Sequence, residues 1–561
     1  MGLVLGIAAL ILAAVPGVAF AADPPVFDAP PTPLFGATLV VGVGESLEFT
    51  VRATDADVLA AITQLDAGAH HNCVLLDTGA VRCWGRGGDG RLGYGNTSAI
   101  GDNETPASAG DVDVGGTVVQ ISTGLEHSCV VLDTGAVRCW GLGADGRLGY
   151  GNTTTIGDNE TPADVGEVAV GGTVAQIAPG SFHTCALLTG GAVRCWGAGS
   201  FGQLGYGNTD DIGDNETPAD AGDVAVGGTV TQIATGAFHT CALLDSGAVR
   251  CWGAGSRGRL GYANTDNVGD NETPADVGDV AVGGTVTQIV AGDSHTCALL
   301  TGGGVRCWGA GGNGKLGYSS TSNIGDNETP ASAGDVNVGG TVVQISAGRT
   351  HTCALMATGA VRCWGDGPSG QLGYGNTNDI GDNETPATAG DVNVGGTVAQ
   401  LRAGGAFHTC ALLDSGAVRC WGTGTEGRLG YGNTTAIGDD EAPALAGDVD
   451  IVDPGDVVSL GVVGLPAGAG FSPGAAANPV SATFTWVPTN ANVGSHAVTF
   501  TAQDQTALTA TPHAITIEVT AAVVPVPGVA PWALVGLAGL LAVAFLWGSR
   551  RLSWRPQRSA Q

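Results

Sequence analysis

Hydrophobic residues in this chain fall in short runs that Gly, Asn, Asp and Pro separate, and the runs recur along the chain. In one copy Leu243, Val249, Trp252 and Leu260 lie in such runs, and no window keeps the 3.6-residue spacing of an amphipathic helix. We therefore predict four short β-strands per copy, with the sequences GTVTQI, HTCALL, AVRCWG and RLGYA. The turn-rich segment NTDNVGDNETPADVGDV then leads to the next copy.

Paired cysteines mark the period of this pattern. Successive pairs begin 56 residues apart five times and 57 residues apart once. The pairs are Cys73/Cys83, Cys129/Cys139, Cys185/Cys195, Cys241/Cys251, Cys297/Cys307, Cys353/Cys363 and Cys410/Cys420. Seven copies thus occupy residues 60–452. Since units of this length cannot bury their apolar faces alone, we predict an all-β ring of seven blades, a β-propeller without long exposed sheet edges.

The run H-T-C-A-L-L-x-x-G-x-V-x-C-W-G-x-G-x-x-G-x-L-G resembles the repeat of the regulator of chromosome condensation family, whose members form seven-bladed propellers. The resemblance covers roughly 390 of the 561 residues, and the paired cysteines resemble a secreted bacterial branch of that family. Some members of the family are secreted enzyme inhibitors. The activity of eukaryotic members is guanine-nucleotide exchange on a Ran-type GTPase. The repeated positions of this sequence do not allow that activity to be assigned to it.

Each cysteine pair is predicted to form a disulfide inside a β-hairpin, with buried free thiols as the alternative. The three-residue loop Asp245–Gly247 puts Leu244 opposite Ala248, and counting outward sets Cys241 opposite Cys251. The third loop residue is glycine in all seven copies, as a left-handed loop position requires. Directly opposite residues have Cα atoms about 4.5 to 5.5 Å apart, which is within disulfide range.

One histidine precedes the first cysteine of every pair. These residues are His71, His127, His183, His239, His295, His351 and His408. Seven imidazoles on a ring could bind metal or respond to pH. A hydrogen bond from each histidine to the neighbouring blade is the interpretation that we favour. The tryptophan after each second cysteine and the tyrosine of each LGY motif receive the same structural interpretation, because a residue present in every blade serves the blade.

Charge and motif content exclude several functions. The net charge is −31 and only 21 residues are Lys or Arg, which argues against a nucleic-acid partner. The chain has no G-x-S-x-G, no H-E-x-x-H and no unique acid/base cluster, so we predict no enzymatic activity and no cofactor. The sequence GAGGNGKL around Lys315 is a chance match to a phosphate-binding loop, because Leu316 replaces the Ser or Thr that would hold Mg²⁺.

The segments outside the repeats predict export and a second domain. Residues 1–21 form an apolar run that ends in A-F-A, typical of a secretory signal peptide. Residues 24–57 and 454–520 resemble two parts of one bacterial immunoglobulin- or cadherin-like sandwich, into which the propeller is inserted. The cadherin-like residues are Asp55, Asp57 and Asp504. They are weak candidates for Ca²⁺ ligands, and turn formation is their alternative role.

The C-terminal end predicts a membrane anchor. A Pro-rich spacer at 521–531 precedes an apolar run at 532–548, and a basic tail follows at 549–561. About 20 uncharged residues suffice for a transmembrane helix, and the basic tail should stay cytoplasmic, so the remainder faces outward. The layout also resembles bacterial sorting signals of the Pro-Glu-Pro type, with Val526 in place of the acidic residue.

Two segments differ among the seven copies, one before the histidine and one after the tryptophan. Because their strands pair as a hairpin, both segments should emerge at one end of every blade. We call this end the variable face. It is predicted to display Arg86, Phe182, Phe201, Phe238, Arg257, Arg349 and Phe407. Aromatic and Arg side chains on rigidly held loops are usual anchors of protein interfaces.

The GDNETPA segments are predicted to form an acidic face at the opposite end, which would attract Ca²⁺ or basic partners. Taken together, the patterns predict a surface-anchored, non-enzymatic module that binds an extracellular protein or surface ligand. A protein inhibitor of an enzyme is the alternative, and nucleotide exchange is a more distant one.

Overall fold

The computed structural model divides the chain into two compact units. One unit is Val58–Pro454, and the other joins Met1–Asp57 to Gly455–Gln561. The structure describes residues 26–27, 38–43, 45–54, 61–405, 407–451, 459–473, 480–503 and 513–520. The predicted signal peptide, the predicted membrane span at 532–548 and the three candidate Ca²⁺ ligands lie outside these residues. No helix in the described part of the chain is long and apolar enough to cross a membrane.

The larger unit is a ring of seven three-stranded antiparallel sheets between residues 61 and 451. The inner strands are Ile62–Ala67, Val118–Thr123, Val174–Pro179, Val230–Thr235, Val286–Ala291, Val342–Ala347 and Val398–Gly404. The middle strands are His71–Leu76, His127–Leu132, His183–Leu188, His239–Leu244, His295–Leu300, His351–Met356 and His408–Leu413. The outer strands are Val81–Gly85, Val137–Gly141, Val193–Gly197, Val249–Gly253, Val305–Gly309, Val361–Gly365 and Val418–Gly422.

The fourth strand predicted for each blade is wrong. The RLGYA segment at 259–263 forms a tight turn, because Gly261 and Ala263 have φ of +83° and +58°, which an extended strand does not permit. The outer strand instead ends the blade's regular sheet, and only single bridges such as Gly253 with Val268 continue it. One-turn helices follow at Pro106–Ala109, Pro162–Val165, Pro218–Ala221, Pro274–Val277, Pro330–Ala333 and Pro386–Ala389. Short 3-10 turns lie at Gly88–Gly90, Ala144–Gly146, Ser256–Gly258, Gly312–Gly314, Thr425–Gly427 and Pro443–Leu445.

The hairpin register agrees with the prediction in every blade. In the fourth blade the Leu244 amide donates to the Ala248 carbonyl over 2.9 Å, and Gly247 has φ of +81°. Cys241 lies directly opposite Cys251. Their Cα atoms are 4.0 Å apart, slightly closer than expected from the sequence.

All seven predicted disulfides are confirmed, and each lies within its own hairpin. The bonds join Cys73 to Cys83, Cys129 to Cys139, Cys185 to Cys195, Cys241 to Cys251, Cys297 to Cys307, Cys353 to Cys363 and Cys410 to Cys420. Every bond closes a separation of 10 residues. The alternative of buried thiols is wrong, since the described residues include no free cysteine.

The ring closes between the last blade and the first, and the residues at this junction are unlike those elsewhere. The Gln400 amide donates to the Thr63 carbonyl over 2.8 Å. Arg402 Nε lies 3.1 Å from the Asp66 carboxylate, at positions where the other inner strands hold Ser, Ala or Val. Because the blades are nearly identical, this ion pair distinguishes the closing junction from the other six.

The smaller unit consists of two four-stranded sheets that both parts of the chain build. The first contains Val26–Phe27, Leu47–Thr54, Val480–Trp486 and Gly470–Pro473 in spatial order. The second contains Thr38–Gly42, His513–Thr520, Gly494–Gln503 and Ser459–Val463. A 3-10 turn lies at Asn490–Asn492. One core holds side chains from both sheets, among them Val51 and Phe484 from the first and Phe500 and Ile517 from the second.

Candidate protein-binding face

A repeated hydrogen-bond chain fixes each variable segment to the next blade, as predicted for the histidines. The imidazole Nε2 of His127 lies 2.8 Å from Thr184 Oγ1 in the following blade. The Thr184 hydroxyl donates to the Arg147 carbonyl over 2.9 Å, so it accepts the Nε2 proton of His127. This order makes Nδ1 the unprotonated nitrogen of a neutral ring.

The same chain recurs around the ring. At the closing junction Asn72 replaces the hydroxyl residue: its side-chain oxygen lies 2.7 Å from His408 Nε2, and its amide donates to the Arg428 carbonyl over 2.6 Å. All seven histidines are fully buried. Burial, with a smaller effect of Arg147, lowers the pKa of His183 to about 3, and burial lowers the pKa of His351 to about 3. The pKa values of the other five are lowered in the same direction, mainly by burial.

The two variable segments of each blade do emerge together. The residue before each histidine accepts a backbone hydrogen bond from the residue that follows the outer strand; for example, the Ala254 amide donates to the Phe238 carbonyl over 2.8 Å. The seven middle and outer strands repeat this geometry, so the variable residues collect at one end of the ring. Neighbouring blades also approach closely beside these segments: a Cβ on Gly236 would clash with the Gly292 carbonyl oxygen of the following blade.

Three of the predicted residues form one aromatic patch, consisting of Phe182, Phe201 and Phe238. The rings of Phe182 and Phe238 stack with centroids 5.0 Å apart, and Phe201 meets Phe238 edge-on at 5.3 Å. The Arg147 guanidinium lies 5.3 Å from the Phe182 centroid. Phe201 is 40% exposed, so the patch presents aromatic surface to solvent.

The other predicted residues lie outside the aromatic patch, at two further places on the variable face. Phe407 lies at the closing junction, where its ring centroid is 6.4 Å from that of His70 and 5.7 Å from the Arg428 guanidinium. Arg86 is 3.5 Å from Glu426 across the same junction. Arg257 and Arg349 line a cleft that adjoins the aromatic patch at Phe238. The variable face therefore contains three distinct groups of side chains.

The structure places further residues on the variable face that the comparison of the seven repeats did not predict. Arg147 and Arg428 occupy a position that is basic or Gln in every copy, so its repetition gave no sign of a role beside the aromatic rings. Asp293 forms an ion pair with Arg349, and Lys315 lines the same cleft. The sequence signal that could have pointed to these residues is the set of charged residues in neighbouring loops. These loops come together only in the folded ring.

The predicted acidic face opposite the variable face is wrong. The amide of Ile100 donates to the Gly85 carbonyl over 3.0 Å at the end of the outer strand. The following Gly101 and Asp102 pack against the loop of the preceding blade, where a Cβ on Gly427 would clash with the Asp102 amide. Each GDNETPA segment thus begins beside the variable face, because the Ile before it, or Val268 in the fourth blade, forms a bridge with the last glycine of the outer strand.

Carboxylates cluster at one site within the described residues. Ligand atoms of Asp439, Asp440 and Glu441 lie within 4.8 Å of one another. Partial burial, followed by a hydrogen bond with Asp440, raises the pKa of Glu441. Exposed acidic groups of this kind are common on protein surfaces without a bound ion.

Comparison with known proteins places the repeats in a family. The model described as "RCC1-like domain" matches residues 173–474. The model described as "Regulator of chromosome condensation (RCC1) repeat" matches 134–187, and a second model of the same description matches 62–91 and 118–147. The Ultraviolet-B receptor UVR8 of Arabidopsis thaliana is 32% identical over 372 residues, which are 66% of this chain and 79% of that protein.

Other relatives share the repeats within different proteins or share the fold. The human E3 ubiquitin-protein ligase HERC2 is 29% identical over 334 residues, 58% of this chain but only 6% of its own length. Human WBSCR16 superposes with a TM-score of 0.51 at 22% identity, covering 64% of this chain and 89% of its own. Yeast RCC1 (Prp20), solved bound to Kap60, superposes with a TM-score of 0.52 at 18% identity, covering 76% and 90%. These two structures agree with the propeller fold.

Proposed function

Because the chain belongs to the family of proteins with an RCC1-like domain, we propose that it is a non-enzymatic propeller scaffold whose variable face binds a protein partner. One observation carries this proposal. In a ring of nearly identical blades, Phe182, Phe201 and Phe238 depart from the residues of most other blades and still meet in one partly exposed patch. Exposed aromatic clusters on rigid loops are typical anchors of protein interfaces.

The rigidity of the support favours binding over an accidental apolar surface. Phe182 and Phe238 each directly precede a histidine that hydrogen-bonds to the next blade. Their backbones are therefore held in place before any partner arrives. A preorganised aromatic surface loses little conformational entropy on binding, which raises affinity for a given area.

We further propose that the protein acts outside the cytoplasm, attached to the membrane through residues 532–548. The seven disulfides support export, since disulfides persist in oxidising compartments and are rare in the cytosol. The partner is then an extracellular protein or a surface component. Anchoring is tested by fractionating cells that express the full chain or a chain ending at residue 531; release of only the shorter protein supports the anchor.

A capture experiment tests the binding face. The immobilised full chain is compared with Phe182→Ser/Phe201→Ser/Phe238→Ser in a pull-down from surface extract, read by quantitative mass spectrometry. We expect the triple variant to lose the partner by at least about 30-fold, since central aromatic anchors contribute about 2 kcal/mol or more. Its melting temperature should stay within a few degrees of the wild type.

The matched control removes exposed apolar side chains elsewhere on the ring. Val119 and Val343 are 55% and 54% exposed and are the second residues of their inner strands, at the end that contacts the hairpin loops and lies away from the variable face. Val119→Ser/Val343→Ser should capture the partner as the wild type does. Loss of capture in this control alone would refute the choice of face. If the captured protein is an enzyme, its activity with and without the chain decides between adhesion and inhibition.

A further inference from the structure

Five of the seven loops that follow the outer strands bury a basic side chain beneath the variable face. These residues are Arg91, Arg147, Arg259, Lys315 and Arg428, each no more than 9% exposed, and Gln203 and Gln371 occupy the other two positions. A buried cation destabilises a fold unless an opposite charge or a set of hydrogen bonds compensates it. The partners of these five cations therefore show in which loops the buried positive charge is compensated by a negative one.

Three of the loops supply their own counter-charge two residues before the cation. Arg91 lies 2.8 Å from Asp89, and Arg147 lies 2.9 Å from Asp145. In the last blade Arg428 lies 3.3 Å from Glu426. The acidic residue adopts a left-handed conformation in each loop, with φ of +58°, and this bend returns its carboxylate to the guanidinium.

The fourth and fifth blades lack this counter-charge. Arg257 and Asn313 stand where the other loops hold the acid. Among the described residues Arg259 donates only to neutral oxygens: the Ser256 carbonyl at 3.1 Å, Ser256 Oγ at 2.9 Å and the Asp293 carbonyl at 3.4 Å. The ammonium of Lys315 makes no hydrogen bond or ion pair with any described residue.

These two loops face each other across a cleft of about 260 Å³. Its charged lining consists of Arg257, Arg259, Lys315 and Arg349 with a single carboxylate, that of Asp293. Asp293 is already paired with Arg349. Asp366, near Lys315, accepts a hydrogen bond from Asn313 over 2.7 Å. Within the described part of the chain three cations of the cleft thus lack a direct carboxylate partner, in a protein of net charge −31.

The environment of the cations reflects this missing charge. Burial and the neighbouring Arg257 lower the pKa of Arg259. Burial also lowers the pKa of Lys315, although Asp366 and Asp293 act in the opposite direction. An anion placed among these groups would restore the attraction that Asp89 and Asp145 supply in the first two blades.

We propose that this cleft is a binding site for a divalent oxyanion, namely a phosphate group, held by Arg257, Arg259 and Lys315. Arginine side chains bind such groups through paired N–H donors, and lysine adds a mobile point charge. The bound dianion takes the place of the two acidic residues that these blades lack. Phe238 also lines this cleft, so the site adjoins the aromatic patch, and it goes beyond the proposed protein-binding function.

Titration calorimetry of the full chain tests the site, with inorganic phosphate at pH 7.5 and sodium chloride of equal ionic strength as the reference. We expect saturable binding of one phosphate per chain. Lys315→Gln should weaken it at least about tenfold, since a hydrogen bond to a charged group contributes that much. Glutamine suits this position: the Gln203 side-chain oxygen accepts the Phe201 amide over 2.9 Å.

A second variant restores the acidic residue that other loops hold two positions before the buried cation. Arg257→Asp/Asn313→Asp puts an acid at both left-handed positions, so we expect binding to be lost and the melting temperature to hold or rise. Arg91→Gln, which removes a compensated cation, is the matched control and should bind phosphate like the wild type. Glycerol 3-phosphate distinguishes the source: tighter binding than phosphate indicates a phosphate ester, and equal binding indicates the free ion.

Three results would overturn the proposal. The first is a phosphate heat no larger than that of chloride at equal ionic strength. The second is unchanged binding in the folded Arg257→Asp/Asn313→Asp protein. The third is an equal loss in Lys315→Gln and Arg91→Gln, which would indicate a nonspecific response to net charge. None of these results bears on partner capture by the aromatic patch.

Discussion

Acid should destabilise the propeller through its buried histidines. Each ring is neutral, fully buried and without a partner at Nδ1 among the described residues, whereas an unfolded histidine titrates near pH 6.5. The unfolded chain therefore binds more protons than the folded one below this pH. Stability is fully present above about pH 6.5 and is lost as the pH falls toward the folded pKa, which is about 3 for His183 and His351.

The size of the effect follows from proton linkage. Between pH 7.5 and pH 5.0 protonation stabilises the unfolded form of one such histidine by about 2 kcal/mol. The folded form is stabilised by almost nothing, because its ring stays neutral over this range. His183 and His351 together should lower the free energy of unfolding by about 4 kcal/mol over this range. The other five buried histidines act in the same direction. Glu104 and Glu216, whose pKa values partial burial raises, act in the opposite direction.

The assay is urea unfolding followed by tryptophan fluorescence at both pH values and constant ionic strength, for the wild type and His351→Gln. Glutamine retains an N–H donor for Thr409 Oγ1, which lies 2.8 Å from His351 Nε2, but cannot titrate. We expect the pH-dependent loss of stability to be about 2 kcal/mol smaller in the variant. Carboxylate effects cancel in this difference. An equal pH dependence in the two proteins would refute the linkage argument.

Three further predictions concern the covalent and topological framework. Mass spectrometry of the intact oxidised protein should find every disulfide within its own hairpin, and Cys297→Ala/Cys307→Ala should lower the unfolding free energy by roughly 2.8 kcal/mol from loop closure alone; a Cys83–Cys129 link would contradict the hairpin register. Arg402→Ala should destabilise the ring by about 1 kcal/mol, because it removes the ion pair while the Asp66 carboxylate keeps the hydrogen bonds from the Thr123 amide and hydroxyl; an unchanged free energy of unfolding in denaturant would contradict this. Replacing residues 60–452 by a short linker should leave a β-domain that unfolds cooperatively by circular dichroism, since both chain parts share one core, and an unfolded product would show that this core is insufficient.

Sequence alone determined the features that depend on local contacts. The cysteine spacing, the glycine at the third loop position and the alternating strands fix each hairpin, because Cys241 and Cys251 are separated by only 10 residues. The same separation holds for Cys129 and Cys139 and for the remaining pairs. Repetition then required the blades to pack on one another. The propeller, its seven disulfides and the inter-blade role of the histidines could therefore be predicted without coordinates, and the structure confirms them.

Tertiary structure decided the features that depend on what neighbouring blades bring together. The RLGYA segment has an extended pattern in sequence, but Gly261 packs closely against Trp308 of the next blade in a left-handed conformation. Phe182 and Phe238 are 56 residues apart in sequence and meet only because consecutive blades are adjacent. The basic cleft exists for the same reason. Arg257 and Asn313 replace the acidic residue in two consecutive loops, and the uncompensated cations of these loops meet because the fourth and fifth blades are adjacent. Charges compensate one another through space, so the cations of the cleft that lack a carboxylate partner could be recognised only in the folded ring.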